Sequence, residues 1–283
     1  MKSVLLSVTD HYSLHAHLFE PEKSNGKLLL INSATGVKQQ VYFAFAQWLC
    51  EQGFLVITYD YSGVGLSKPH KMRGFKTSMR TWGTRDFKAV TDFIQNHFPD
   101  HEKYCLGHSV GALLLGMNRD SRMFRRFIFV GTQNAYLQHL PVKVAITAAL
   151  GFGIAVPVTS AFLGYFPAHW FGLGESLPKG SAKDWRTLIL HKKSTARLLS
   201  KLDEEYSAEL DQEALIIYAE DDPWVKMKGM ESLMKHVYPN MKKTYREVKV
   251  HESPKGKIGH VNFFRSYNKP LWNIVANEIN KNQ

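Results

Sequence analysis

Short runs of strand character alternate with stretches of helical period along most of this 283-residue chain, and that alternation constrains its fold more than any other feature. Residues 27–32, 54–59, 104–106 and 127–130 each read as a buried strand bounded by turn residues. Between the first two, Tyr42, Phe45, Ala46 and Leu49 fall at helical spacing within 40–52, and Gly53 ends the run. A second helix over 82–98 carries Phe87, Val90, Phe93 and Ile94 on one stripe. The rhythm resumes with strands at 214–218 and 244–250 and a last helix containing Leu271, Ile274, Val275 and Ile279. Strands separated by helices lie mainly parallel, because a parallel crossover needs about a helix's length of chain. The expected fold class is α/β: a mainly parallel central sheet flanked by helices on both faces.

Residues 132–210 break this rhythm and read as a mostly helical cap inserted after strand six, between core segments 1–131 and 211–283. From Val144 to Gly174, 31 consecutive residues carry no Asp, Glu, Lys or Arg, a length that would span a bilayer. Five glycines, Pro157 and Pro167 within the run, and a sheet-forming body on both sides, favour an apolar cap instead. The two cysteines, Cys50 and Cys105, exclude a disulfide framework and a four-cysteine zinc site. His15 and His17 alternate with Leu14, Ala16 and Leu18 and are expected to face solvent on an edge strand; no metal-ligand spacing is evident, so no metal or cofactor is expected. The opening apolar stretch is cut by Thr9-Asp10-His11, too early for a signal peptide, which makes a cytoplasmic location the expectation.

The chemistry-bearing pattern follows the strand at 104–106: Gly107-His108-Ser109-Val110-Gly111, running into Ala112-Leu113-Leu114-Leu115. A serine on a tight strand-to-helix turn is lifted above the sheet edge, and the helix start behind it offers backbone donors to developing negative charge. Serine needs a base to take its proton and a carboxylate to orient that base. In such sheets the order is Ser, acid, His. The strand at 214–218 runs into Glu220-Asp221-Asp222-Pro223, where Asp222 is the expected acid and Asp221 its rival. The last strand leads to Ile258-Gly259-His260, making His260 the expected general base with His251 as alternative. Two backbone N–H groups should receive the oxyanion: Val110, after the serine, and one from the loop after strand three, Ala34 first and Thr35 second.

With the elbow, Asp222 and His260 in that order, the chain resembles the α/β-hydrolases along nearly its whole length. The run Asp60-Tyr61-Ser62-Gly63-Val64-Gly65-Leu66-Ser67 resembles that family's D-x-R-G-x-G-x-S loop, with Ser62 in place of arginine. Asn32-Ser33 stands where His-Gly is usual in the oxyanion loop. Gly164-Tyr165-Phe166-Pro167, Gly172-Leu173-Gly174-Glu175 and Leu177-Pro178 are similar to a bacterial group of α/β-hydrolases near the serine-aminopeptidase-like and monoacylglycerol-lipase-like branch. The resemblance implies fold and triad, not substrate.

The function expected is hydrolysis of carboxylic esters or thioesters with an apolar acyl part, bound by cap residues including Phe162, Tyr165, Phe166 and Trp170. An aminopeptidase or amidase is the alternative, but it needs an anionic group for the substrate's ammonium, and from 132 to 185 only Glu175 and Asp184 are acidic. Acyl transfer to another acceptor would use the same triad. Dehalogenation on this fold resembles chemistry with an aspartate nucleophile, which position 109 lacks. A net charge of +11, with seven Lys or Arg against one Asp over 68–88 and nine against three Glu over 226–257, raises a different class: a membrane-surface or binding module touching anionic lipid weakly. No motif supports nucleic-acid binding.

Overall fold

The computed structural model describes residues 1–9 and 12–281. Ten strands are present among them: β1 (Lys2–Thr9), β2 (Tyr12–Phe19), β3 (Lys27–Asn32), β4 (Leu55–Tyr59), β5 (Glu102–His108), β6 (Arg126–Val130), β7 (Tyr165–Phe166), β8 (Leu177–Pro178), β9 (Glu213–Ala219) and β10 (Lys242–Val248). Eight form one sheet in the order β1-β2-β4-β3-β5-β6-β9-β10, and β7 pairs with β8 in a separate hairpin. From β4 to β10 every pairing is parallel, while β1 with β2 and β2 with β4 are antiparallel.

The central strands are buried on both faces, which is why β3, β4 and β6 read as continuous apolar runs rather than alternating ones. Helices Phe43–Cys50 and Asn273–Asn280 pack on one face through Phe45, Leu49, Val275 and Ile279. Helices Phe87–His97 and Met227–His236 cover the other through Phe87, Val90, Ile94, Met230 and Leu233. The free edge, β10, opens with exposed Lys242, Lys243 and Thr244, charges that discourage a further strand from pairing there.

The expectation for His15 and His17 needs correction. Strand β1 occupies the sheet edge, so β2 is an interior strand. His17 is buried, its Nδ1 3.0 Å from Gln39 Oε1 and its ring edge-on to Phe43. The physical reason is that β1 takes the edge position while Gln39 and Phe43 pack over the face that His17 presents.

Between β6 and β9 the chain leaves the sheet. It forms a 22-residue helical stretch, Val142–Leu163, with one wide turn at Gly151–Ala155, then the β7–β8 hairpin and helices Lys179–Leu190 and Ser194–Leu199. The stretch, called here the cap helix, is long and apolar enough to cross a membrane. In the structure Ala148, Phe152, Val156 and Ser160, spaced four apart, turn inward, and Phe152 packs on Trp185 at 4.9 Å between ring centroids. The opposite stripe faces out.

Candidate active site

Strand β5 delivers Ser109 at a backbone conformation of φ 52° and ψ −115°, which an L-residue holds only under strain. The neighbours leave no choice about it. A Cβ on Gly107 would lie 2.5 Å from the backbone of Ala112, and one on Gly111 would lie 2.3 Å from Asn32 O, so strand, turn and helix close only with glycine at both positions. Ser109 N–H donates to Val130 O at 2.9 Å and Ser109 O accepts from the Thr132 hydroxyl at 2.8 Å, which pins the turn to the end of β6.

Asp222 and His260 come from loops after β9 and β10 and meet with His260 Nδ1 2.7 Å from Asp222 Oδ2. The carboxylate is buried, and its second oxygen accepts from Trp224 N–H at 2.8 Å. His260 Nε2 has no partner among the described residues, and the ring lines a cavity of about 740 Å3 that Ser109 also lines. No hydrogen bond joins the serine hydroxyl to the ring. Asp221, the rival acid, points elsewhere: its oxygens accept from Gly259 N–H at 2.7 Å and Ile258 N–H at 3.0 Å, anchoring the loop that carries His260. His251 lies exposed at the end of the last strand and does not line the cavity.

Val110 N–H sits at the first position of a helix, where no intrahelical acceptor exists. Ala34 is corrected. Its N–H donates to the Tyr42 hydroxyl at 2.9 Å and is already taken. Thr35, one residue on, lines the same cavity, and its N–H has no partner among the described residues. Asn32 fills the place of the usual histidine by donating to Gly111 O at 3.2 Å and accepting from Tyr59 at 2.9 Å.

One residue of this network went unassigned in the sequence. His108 is fully buried, with Nδ1 2.7 Å from Tyr42 Oη and Nε2 2.8 Å from His260 O. Burial, helped by the charge of His260 and opposed by the His260 carbonyl, pulls its pKa down to about 3. A neutral imidazole therefore links the oxyanion loop to the histidine loop. Its position inside G-x-S-x-G was the available signal, but that position tolerates many residues.

The cap residues are also corrected. Phe162 and Trp170 are 75% and 63% exposed, and neither they nor Tyr165 line the cavity that holds Ser109. Phe166 lines a smaller cavity under the cap helix. The catalytic-side cavity is walled instead by Leu113, Leu173, Trp185, Leu188, Ile189 and Trp224. The cause is helical phase: the inward face of the cap helix is the Phe152 face, so Phe162 falls outward.

A mainly parallel eight-stranded sheet whose strand β5 runs into a strained serine at a helix start is the α/β-hydrolase fold. A family model described as serine aminopeptidase, S33, matches residues 24–157. No curated protein sequence matches the chain. Among solved structures, a bromoperoxidase from Bacillus anthracis aligns at 17% identity and TM-score 0.62, over 99% of this chain and 100% of that one. Est1E from Butyrivibrio proteoclasticus with ferulic acid bound gives 15% identity and 0.59, over 98% and 100%. An alpha-beta serine hydrolase homologue from Coxiella burnetii gives 13% and 0.54, over 98% and 96%. At these identities the likeness is one of fold.

Proposed function

We propose that the protein cleaves carboxylic esters or thioesters with an apolar acyl part, through Ser109, His260 and Asp222. The observation that carries this is the 2.7 Å Asp222–His260 pair, whose histidine lines one apolar-walled cavity together with the strained serine. His260 Nε2 takes the Ser109 proton as Oγ attacks the carbonyl carbon, and Asp222 holds the imidazolium. Val110 and Thr35 N–H receive the tetrahedral oxyanion. The leaving alcohol or thiol takes the proton from His260, and water, activated by the same ring, releases the acyl group from Ser109.

Among the described residues lining the cavity, Glu175 is the one carboxylate. Burial pushes its pKa up, but the Lys68 and Gly65 hydrogen bonds and the Lys68 and Lys38 charges outweigh that and hold it below the ordinary value. With Lys68 at 2.5 Å, Lys38 at 3.6 Å and Gly65 N–H at 3.0 Å, it is satisfied within the protein and poorly placed to hold a substrate ammonium. This favours an ester or thioester over an aminopeptide.

Turnover of p-nitrophenyl esters from acetyl to palmitoyl, set against aminoacyl p-nitroanilides, tests the reading. Ester cleavage that disappears in Ser109→Ala is expected. Anilide cleavage exceeding ester cleavage would overturn it.

A further inference from the structure

Under the cap helix lies a second cavity of about 370 Å3 that shares two wall residues, Leu173 and Trp224, with the cavity holding Ser109. Apart from Lys143 and Thr147 its lining is apolar or aromatic, including Phe152, Val156, Phe166 and Phe171. The cavity is partly open to solvent, so its apolar walls stay in contact with water unless an apolar group covers them. Trp224 is held in this shared wall by its backbone, donating to Asp222 Oδ1 and accepting from the Gln133 amide.

We infer that this chamber receives the distal carbons of a long acyl chain whose carbonyl sits at Ser109, the chain passing between Leu173 and Trp224. The inference rests on the ester reading and names the acyl length it serves. At about 30 Å3 for each small heavy-atom group, the volume a water takes in the liquid, 370 Å3 accommodates on the order of ten methylenes.

Two glycines of the same helical turn provide the test. Gly151 lines the chamber and Gly153 does not, and a Cβ at either meets nothing within 4 Å. Gly151→Leu therefore occupies part of the chamber, while Gly153→Leu adds the same side chain outside it. Calorimetric binding of octanoate and hexadecanoate reads the chamber without any turnover. Each methylene denied burial costs about a factor of four in affinity. Displacing three to four of them should weaken hexadecanoate about 100-fold in Gly151→Leu, leaving octanoate unchanged and Gly153→Leu like the parent. Equal hexadecanoate affinity in the parent and Gly151→Leu, or equal loss in both variants, would overturn the chamber. The predicted binding pattern without ester cleavage would sink the ester reading and leave the chamber standing.

An independent observation concerns the outer face of the cap helix. Val142, Ile146, Leu150, Ile154, Val158 and Phe162, four apart, are 47–75% exposed along a helix about 33 Å long. Its C-terminal end is ringed by cations. Arg73 donates to the carbonyls of Phe162 and Leu163, and the groove beside Gly164 is lined by Lys76, Lys179 and Lys183 with no carboxylate. An apolar stripe rimmed by positive charge is the pattern of a helix lying in the headgroup region of an anionic bilayer. We propose that this face docks there.

Sedimentation with phosphatidylcholine vesicles, with and without phosphatidylglycerol, tests it. Binding should require phosphatidylglycerol, fall at high salt, and drop at least tenfold in Leu150→Asp and in the Lys76→Glu/Lys179→Glu/Lys183→Glu variant. No binding at low ionic strength, or binding indifferent to both variants, would refute docking. Salt-resistant, detergent-requiring association would indicate a spanning helix instead, and concentration-dependent dimers lost in Leu150→Asp would indicate a second copy.

Discussion

Replacing His108 by glutamine removes the fully buried imidazole that connects the two functional loops, and the consequence is worked from its pKa. With a folded value of about 3 and an ordinary value of 6.5, the unfolded chain binds this proton and the native one does not between those limits. Stability therefore rises with pH across that window and is lost as pH falls through 6.5. From pH 7 to pH 5 the loss attributable to His108 is about 2 kcal/mol. Asp86 works against it. Burial, opposed by hydrogen bonds from Ser62 and Tyr12, pushes that carboxyl up to about 6. The native state then holds the proton more tightly than the unfolded chain, which returns roughly 1 kcal/mol at pH 5. The parent's own pH profile is thus partly cancelled, and the informative quantity is the difference between parent and His108→Gln. Urea unfolding of both at pH 7 and pH 5 should show that difference moving by about 2 kcal/mol in the variant's favour on acidification. A difference independent of pH would refute the argument, because it would mean that His108 takes up its proton in place.

Asp221→Ala should leave the fold intact but lower kcat roughly 10- to 100-fold by releasing the Ile258 and Gly259 N–H groups that hold the His260 loop, with KM little changed; an unaltered kcat would contradict this positioning role. Thr35→Pro is a clean deletion of one donor. The Ala34–Val37 turn, closed by Val37 N–H to Ala34 O at 3.1 Å with Gly36 at φ 66°, suits proline at its second position. The loss expected in kcat is on the order of 10²- to 10³-fold at unchanged thermal stability, and full activity would remove Thr35 from the oxyanion site. Tyr42→Phe strands Ala34 N–H and His108 Nδ1 in the interior and should destabilise by about 1–3 kcal/mol in urea unfolding, so a neutral result would argue against the network.

Much of this was legible because it depends on local chemistry. Strand β3 was read at its observed bounds, since a run buried on both faces leaves a continuous apolar signature. The start of β5 was missed because Glu102 and Lys103 are polar where the strand emerges from the core. The elbow was readable because only glycine fits at 107 and 111. What failed depended on phase and on distant partners. Phe162 and Trp170 look like pocket residues by type, and only the rotation of the cap helix and its hairpin turns them outward. Ala34 aligned best as a donor, but a tyrosine eight residues away occupies its N–H, and no local pattern records that bond. The roles of Asp221 and Asp222 separate in the same way, by which groups of one distant loop each meets: the Ile258 and Gly259 N–H groups for Asp221, the His260 ring for Asp222.

The central claim is that Ser109 is a nucleophile activated by His260 and Asp222, and alkyl fluorophosphonate labelling followed by peptide mapping tests it without knowledge of the substrate. A single adduct at Ser109 in the parent is predicted, with the labelling rate falling by several orders of magnitude in His260→Ala and strongly in Asp222→Asn. No adduct, an adduct on another residue, or undiminished labelling in His260→Ala would contradict the account.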